Sequence, residues 1–249
     1  MMKKSLLLFS IFIFSFEVLP QTQQFFDSPF GGGGGFTPGW TFAKVDDINN
    51  LLSQANMPKV SSSGIFTTGG AGFFYIGFVP GLRIGGMGYG GSSSSKSSFT
   101  QSNIVFNEEV IYSMGAGGVT IEYTLPFIKS WGVSLGATIG GGGIGIELYK
   151  NKGNNTWNGL FNEFETPSAS ANNGTHRTLK NNYWLFVPTL NVDIPFYRFL
   201  CFRVGAGYNF TAGEKWKIDN QLDIAGVPTT FNGKNFFIQT GIFIGFFSF

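Results

Sequence analysis

From residue 70 onward, apolar side chains alternate with small or polar ones over several long runs. This period-two signature marks strands that keep one face in an apolar medium. In the run beginning at Trp131, residues Trp131, Val133, Leu135, Ala137 and Ile139 fall on one face; Gly132, Ser134, Gly136, Thr138 and Gly140 fall on the other. In the run from Tyr183, residues Trp184, Phe186, Leu190, Val192 and Ile194 oppose Thr189, Asn191 and Asp193. In the run from Cys201, residues Phe202, Val204, Ala206, Tyr208 and Phe210 oppose Arg203, Gly205, Gly207, Asn209 and Thr211. The pattern breaks at glycines 140–143. A bulge or sharp bend there is expected to shift the phase, so that Ile144, Ile146 and Leu148 resume the outer apolar face. The last run, residues 235–249, leaves its parity open: Phe247 and Phe249 sit on one face, and Ile242, Ile244 and Phe246 on the other.

Three segments share one plan: an apolar strand, a proline-containing tight turn, and a return strand. They are residues 70–80 returning over 82–90, residues 110–126 returning over 131–150, and residues 183–195 returning over 200–211. Proline cannot donate to a central ladder, so each proline marks a strand end. The intervening connections are polar: 91–103 is serine-rich, 151–182 is rich in Asn, Gly and Thr, and 213–234 carries charge. With the last run this makes seven strands, and a closed bacterial barrel normally has an even number. The best eighth strand is 36–45. Residues 46–57 read as a short helix, with Asp46 or Asp47 as cap, Ile48, Leu51 and Leu52 as its stripe, and Pro58 as its end. That helix is expected inside the lumen or across its mouth if seven strands make the whole wall. Glycines 31–35 read as a flexible linker.

Composition narrows the class. The chain holds 37 Gly and 30 Phe but only 12% charged residues, against roughly 25% in ordinary soluble domains. Lys3 and Lys4 precede a short apolar run, residues 5–16, which reads as a secretory signal over residues 1–21. It is short of the about 20 residues that a membrane helix needs. No later run is long and apolar enough either. An exported chain with low charge and no membrane helix points to a barrel whose outer face meets lipid. The expected organisation is a signal at 1–21, a glycine-rich linker with a candidate strand and helix at 22–60, and a barrel at 61–249. A net charge of +2 gives no reason to expect nucleic acid. One cysteine, Cys201, leaves no intramolecular disulfide, and with one histidine leaves no transition-metal ligand set.

Four charges share the lumen-facing parity near the tight turns: Arg83, Glu122, Asp193 and Arg203. A charge inside a narrow barrel must be paired or wet. The four are therefore read either as a salt-bridge network that holds the lumen shut or as a selective constriction. His176 lies in a loop-like stretch. A catalytic role would need Ser168 and Glu163 or Glu165 as partners, with no spacing that orders them, so it reads as a solvated histidine. The glycines of 85–90 lie in a strand with no helix after them, unlike a phosphate-binding loop. Aromatics gather in two groups, with Phe78, Phe127, Trp131, Phe196, Tyr197 and Phe199 near the turns. The second group is Tyr89, Tyr149, Tyr183, Trp184 and Tyr208 toward the loops, and together they suggest two interfacial belts.

Signal, alternating strands, loop asymmetry and terminal phenylalanine together resemble the small bacterial outer-membrane β-barrel superfamily, over roughly residues 36–249. The resemblance implies an all-β, up-and-down antiparallel transmembrane barrel of about eight strands with a short N-terminal helix, located in the bacterial outer membrane. It also implies lipid as a partner, and contact with the barrel-assembly machinery through Phe247 and Phe249. Gly241 and Gly245 depart from the bulky pattern of that terminal signal. Neither cofactor nor catalytic residue is implied. The expected role is non-enzymatic, structural or surface-interacting. A narrow pore for small or amphipathic solutes is the alternative, and a lipid-modifying enzyme the least favoured.

Overall fold

A computed structural model describes residues 31–126, 131–152 and 174–246. The expected signal, Phe127, Glu163, Glu165, Ser168, Phe247 and Phe249 lie outside the described residues. In chain order the elements are β1 (Gly32–Phe36), β2 (Gly39–Phe42), α1 (Asp46–Gln54), β3 (Ile65–Tyr75), β4 (Leu82–Gln101) and β5 (Ile104–Thr124). They continue with β6 (Gly132–Lys152), β7 (Gly174–Tyr197), β8 (Leu200–Ile218), β9 (Leu222–Asp223) and β10 (Asn235–Phe246). Every pairing is antiparallel, and the wall closes when β10 pairs with β8 on one side and with β1 and β2 on the other. β1 and β2 form one interrupted strand, so the ring has eight, while β9 pairs only with the loop end of β8.

The glycine run differs from the linker expected of it. Gly32–Phe36 is half of the eighth wall strand, paired with both β3 and β10. A Cβ at Gly35 would stand 2.2 Å from the Ile242 carbonyl oxygen, so the closing seam needs a residue without a side chain. The strand also starts earlier than the 36–45 stretch suggests and breaks at Pro38. The wall survives the break, because Thr37 N–H donates to Gly69 O and Thr240 N–H donates to Pro38 O, both at 2.9 Å.

All three expected loops are partly strand as well, and the 151–182 stretch, with His176, supplies the first part of β7 from Gly174. The serine-rich stretch continues β4 to Gln101, with Ser92–Ser98 paired to Ser113–Asn107 of β5. The chain reverses at Ser102 and Asn103, whose φ angles of 50° and 63° suit a two-residue hairpin turn. β8 likewise runs on to Ile218 and reverses at Asp219 and Asn220, also at positive φ. Among the described residues the loop end is therefore a β-extension of the wall.

No bulge interrupts β6 at glycines 140–143. Its register to β5 and to β7 is unbroken from Ser134 to Asn151, so the expected phase shift does not occur. The apolar face changes sides instead. Near the turn end of β6, Leu135 and Ile139 point out and are more than half exposed, while Ser134 and Thr138 are buried inside. Beyond the glycines Ile144 and Ile146 point inward and are buried. β5 repeats the inversion, with Val119 and Ile121 outside but Val110, Tyr112 and Met114 inside. β7 does so too, with Phe186 and Leu190 outside but Tyr183, Leu185 and Val187 inside. A wall apolar outward suits lipid; one apolar inward suits water. The apolar face thus lies outside the wall toward the turns and inside it beyond the glycines, and Trp131 to Ile139 has roughly the length, 9–11 residues, that a tilted strand would need to cross a hydrocarbon layer. β10 has a clear parity: Phe237, Gln239 and Phe243 are buried inside, and Ile238, Ile242 and Ile244 are exposed outside. Tyr89 and Tyr183 of the expected loop-side belt also point inward: Tyr89 bonds Asn209, and Tyr183 is buried.

The inward apolar residues of the extension form one cluster with Ile48 and Leu52 of α1 and with Val60, Ile65, Trp216 and Phe231. The helix closes the loop end with that face. Its cap differs from expectation, because Val45 is the N-cap without a side-chain bond, and Leu51 is half exposed. Asn49 fixes the segment by donating to Val60 O at 2.9 Å and accepting from Val60 N–H at 2.8 Å.

Candidate functional site

The strand registers place two acid–base pairs side by side on the inner wall. Arg83 of β4 stands opposite Glu122 of β5. Asp193 of β7 stands opposite Arg203 of β8. Alternation turns all four inward, and the narrow ring brings one pair against the other. Arg83 reaches Glu122 at 3.0 Å and Asp193 at 2.7 Å; Arg203 reaches Asp193 at 2.6 Å and Glu122 at 3.3 Å. Each guanidinium thus touches both carboxylates, and the formal charges sum to zero. The side chains are at most 6% exposed, so their Coulomb attraction acts with little solvent screening.

Several residues besides the four charges complete the site. Asn191 donates to Glu122 at 3.0 Å, and Gln239 donates to Asn191 at 3.4 Å. Arg83 lies 4.4 Å from the Phe73 ring centroid, and Arg203 lies 4.5 Å from that of Phe243. Those distances suit cation–π contact. Phe73, Tyr75, Cys201 and Phe243 form a small apolar cluster at the turn end. Gly136 and Gly205 vacate the space that the quartet fills: a Cβ there would stand 2.7 Å from Glu122 Cγ and 2.1 Å from Asn191 Oδ1. Asn191 shares the inward parity of Asp193, a signal legible in the strand pattern. Phe73 and Phe243 carried no such signal, because an inward aromatic reads like an outward one, and Gln239 carried none because the parity of its run was open.

The space among Arg83, Glu122, Arg203, Phe73 and Met87 is about 10 Å³, room for about one water molecule. Above it Asn209 is hydrogen-bonded to both Tyr89 and Asn235, followed by the apolar cluster with α1. Chemically, this arrangement cross-links four strands across the barrel interior.

His176 stands elsewhere, on the outer face of the extension. It stacks on Tyr149 with ring centroids 4.3 Å apart, and its Nε2 lies 3.2 Å from Thr178 Oγ1. Glycines 85–90 lie within β4.

No protein-family model matches the sequence, and no curated protein matches it. Among solved structures the chain is similar to Ail, the attachment invasion locus protein of Yersinia pestis, crystallised with the heparin analogue sucrose octasulfate. Identity is 9% and the TM-score 0.44, covering 87% of this chain and 99% of that one. It is similar to a major outer membrane protein from Thermus thermophilus, at 8% identity and TM-score 0.41, over 86% and 99%. CarO2 of Acinetobacter baumannii follows at 10% identity and TM-score 0.39, over 87% and 99%.

Proposed function

We propose that this chain spans the bacterial outer membrane as a closed, non-enzymatic barrel and acts through the β-extension on its loop end, in a structural or surface-interaction role. The side-switch of the apolar face on β5, β6 and β7 carries this reading. It supplies a lipid-facing belt at one level and a packed interior at the next. Membrane lipid is then the partner of the belt. Phe247 and Phe249 would be read by the barrel-assembly machinery, and the extracellular partner would meet the extension. The short turns face the periplasm and the extension faces outward.

A narrow pore with Arg83, Glu122, Asp193 and Arg203 as its constriction finds less support, since the quartet pairs internally and the cluster with α1 fills the lumen beyond it. Two measurements test the proposal. In detergent the unboiled protein should migrate faster than the boiled protein on a gel; a chain that stays soluble and shows no shift without detergent sinks the membrane assignment. In a planar bilayer the protein should give no steady conductance. Stable channels whose ion selectivity changes in Arg83→Gln or Arg203→Gln would establish the pore instead.

A further inference from the structure

Immediately beyond the lipid-facing belt, the outer face of β6, β7 and β8 carries a cationic cluster. The register aligns Gly143, Asn182 and Lys215 in one row and Gly145, Lys180 and Lys217 in the next. A shift between Asn182 and Trp184 interrupts the β7–β8 ladder at this place. The result is an open depression of about 690 Å³, lined by Gly141, Lys180, Asn182, Trp184, Lys215 and Lys217 among others. The three lysines are exposed, and no carboxylate of the described residues forms an ion pair with any of them. Three other cations of the extension are paired: Lys96 with Glu109, Lys150 with Glu108, and Arg177 with Asp219. Glu214, on the same strand as Lys215, accepts bonds from Thr211 and from Gly233 N–H. Asp223 stands opposite Lys217 in the β8–β9 ladder without forming an ion pair with it, so among the described residues three lysines share at most one neighbouring carboxylate and leave a net positive charge.

We infer that this depression binds the phosphate groups of an amphipathic lipid in the outer leaflet. The inference rests on the proposed membrane placement. Charge calls for an anion, and the position of the charge calls for a lipid. The same strands continue toward the turn end with Trp184, 74% exposed, and with the outward pair Phe186 and Phe210. Acyl chains lying along that aromatic track place a headgroup at the level of the lysines. Trp184 suits the boundary itself, because its indole joins an apolar body to a polar N–H. Gly141 leaves the adjoining wall low: a Cβ there would meet nothing closer than 3.6 Å, so packing does not demand the glycine. Basic clusters at a membrane surface attract anionic headgroups in this way.

Native mass spectrometry on the full chain folded in detergent tests the assignment. Diphosphorylated lipid A, dephosphorylated lipid A and inorganic phosphate are the probes. The variant is Lys180→Gln/Lys215→Gln/Lys217→Gln, with Lys44→Gln/Lys59→Gln/Lys96→Gln as the charge-matched control. Wild type and control should retain diphosphorylated lipid A, and the site variant should lose affinity by at least about tenfold. Wild type should bind the dephosphorylated lipid no better than the site variant binds the phosphorylated one. Equal retention by the site variant and the control, no retention by wild type, or indifference to the phosphates overturns the inference. Complete displacement of the lipid by millimolar inorganic phosphate would reduce the site to a general anion site and overturn the lipid assignment. A chain that stays monodisperse without detergent is a separate outcome, which fails the membrane reading and with it the premise. The gel shift on boiling shows whether the site variant has folded.

Discussion

Arg83 donates to Asp193 at 2.7 Å from the opposite side of the barrel interior, although 110 residues separate the two. That bond and its counterpart from Arg203 to Glu122 turn two ladder-neighbour pairs into one neutral quartet. Arg83→Met would leave two buried carboxylates facing one guanidinium. Removing one partner of a buried pair costs about 3–5 kcal/mol, and most of that is the penalty of the charge left behind. Adding Asp193→Asn restores neutrality and should recover part of the loss. Urea unfolding in detergent, followed by tryptophan fluorescence, checks this; a double variant no more stable than the single one would show that the cross-lumen bond is not energetically coupled.

Glycines on the two faces of the wall should respond differently to alanine. At Gly140, which faces inward, a Cβ would stand 2.0 Å from the Gly117 carbonyl oxygen. At Gly88, which faces outward, the nearest atom would be 3.7 Å away. Gly140→Ala must displace backbone and should lower the temperature at which the compact band is lost on a gel. Gly88→Ala should leave that temperature unchanged. Equal behaviour of the two would argue against the close approach of β5 and β6.

The helix offers a comparison of adjacent leucines. Leu52 is buried in the cluster that closes the loop end, and Leu51 is 52% exposed. Leu52→Ala should cost about 2–5 kcal/mol through lost contacts and a residual cavity. Leu51→Ala should stay within about 0.5 kcal/mol, as surface substitutions usually do. Chemical denaturation midpoints of the two variants decide the matter, and similar losses would mean that α1 does not present the face described.

On the extension, the Thr178 backbone N–H and the Arg177 side chain hold the Asp219 carboxyl below its ordinary pKa. A depressed carboxylate contributes its stability above the unfolded value, about 3.9, and loses it as pH falls through the folded value. The β8–β9 turn should therefore stay protected at neutral pH and loosen in strong acid. Hydrogen exchange at the Thr178 amide, compared between wild type and Asp219→Asn, reads this directly. Asp219→Asn should show at neutral pH the faster exchange that wild type reaches only in acid, after correction for intrinsic rates. A neutral-pH rate equal to that of wild type would rule the bond out as the source of protection.

Alternation along β6, β7 and β8 was enough to specify those strands and the inward parity of Asp193 and Arg203, and the same period in the hairpin before them gave that of Arg83 and Glu122. Period two is a local property, and the proline-marked turns pair neighbouring strands without reference to the rest of the chain. Which side of a strand an apolar residue faces at glycines 140–143 is not local. Ile144 and Ile146 keep the register and face inward because they pack with the cluster that α1 closes, and no single strand encodes its surroundings. Glycines 32–35 and the serines of β4 have little strand propensity of their own; they are strands because long neighbours pair with them. Closure of the ring, not spacing along the chain, sets Arg83 against Asp193 and Arg203 against Glu122. Bonds across a lumen exist only once all eight strands have closed around it.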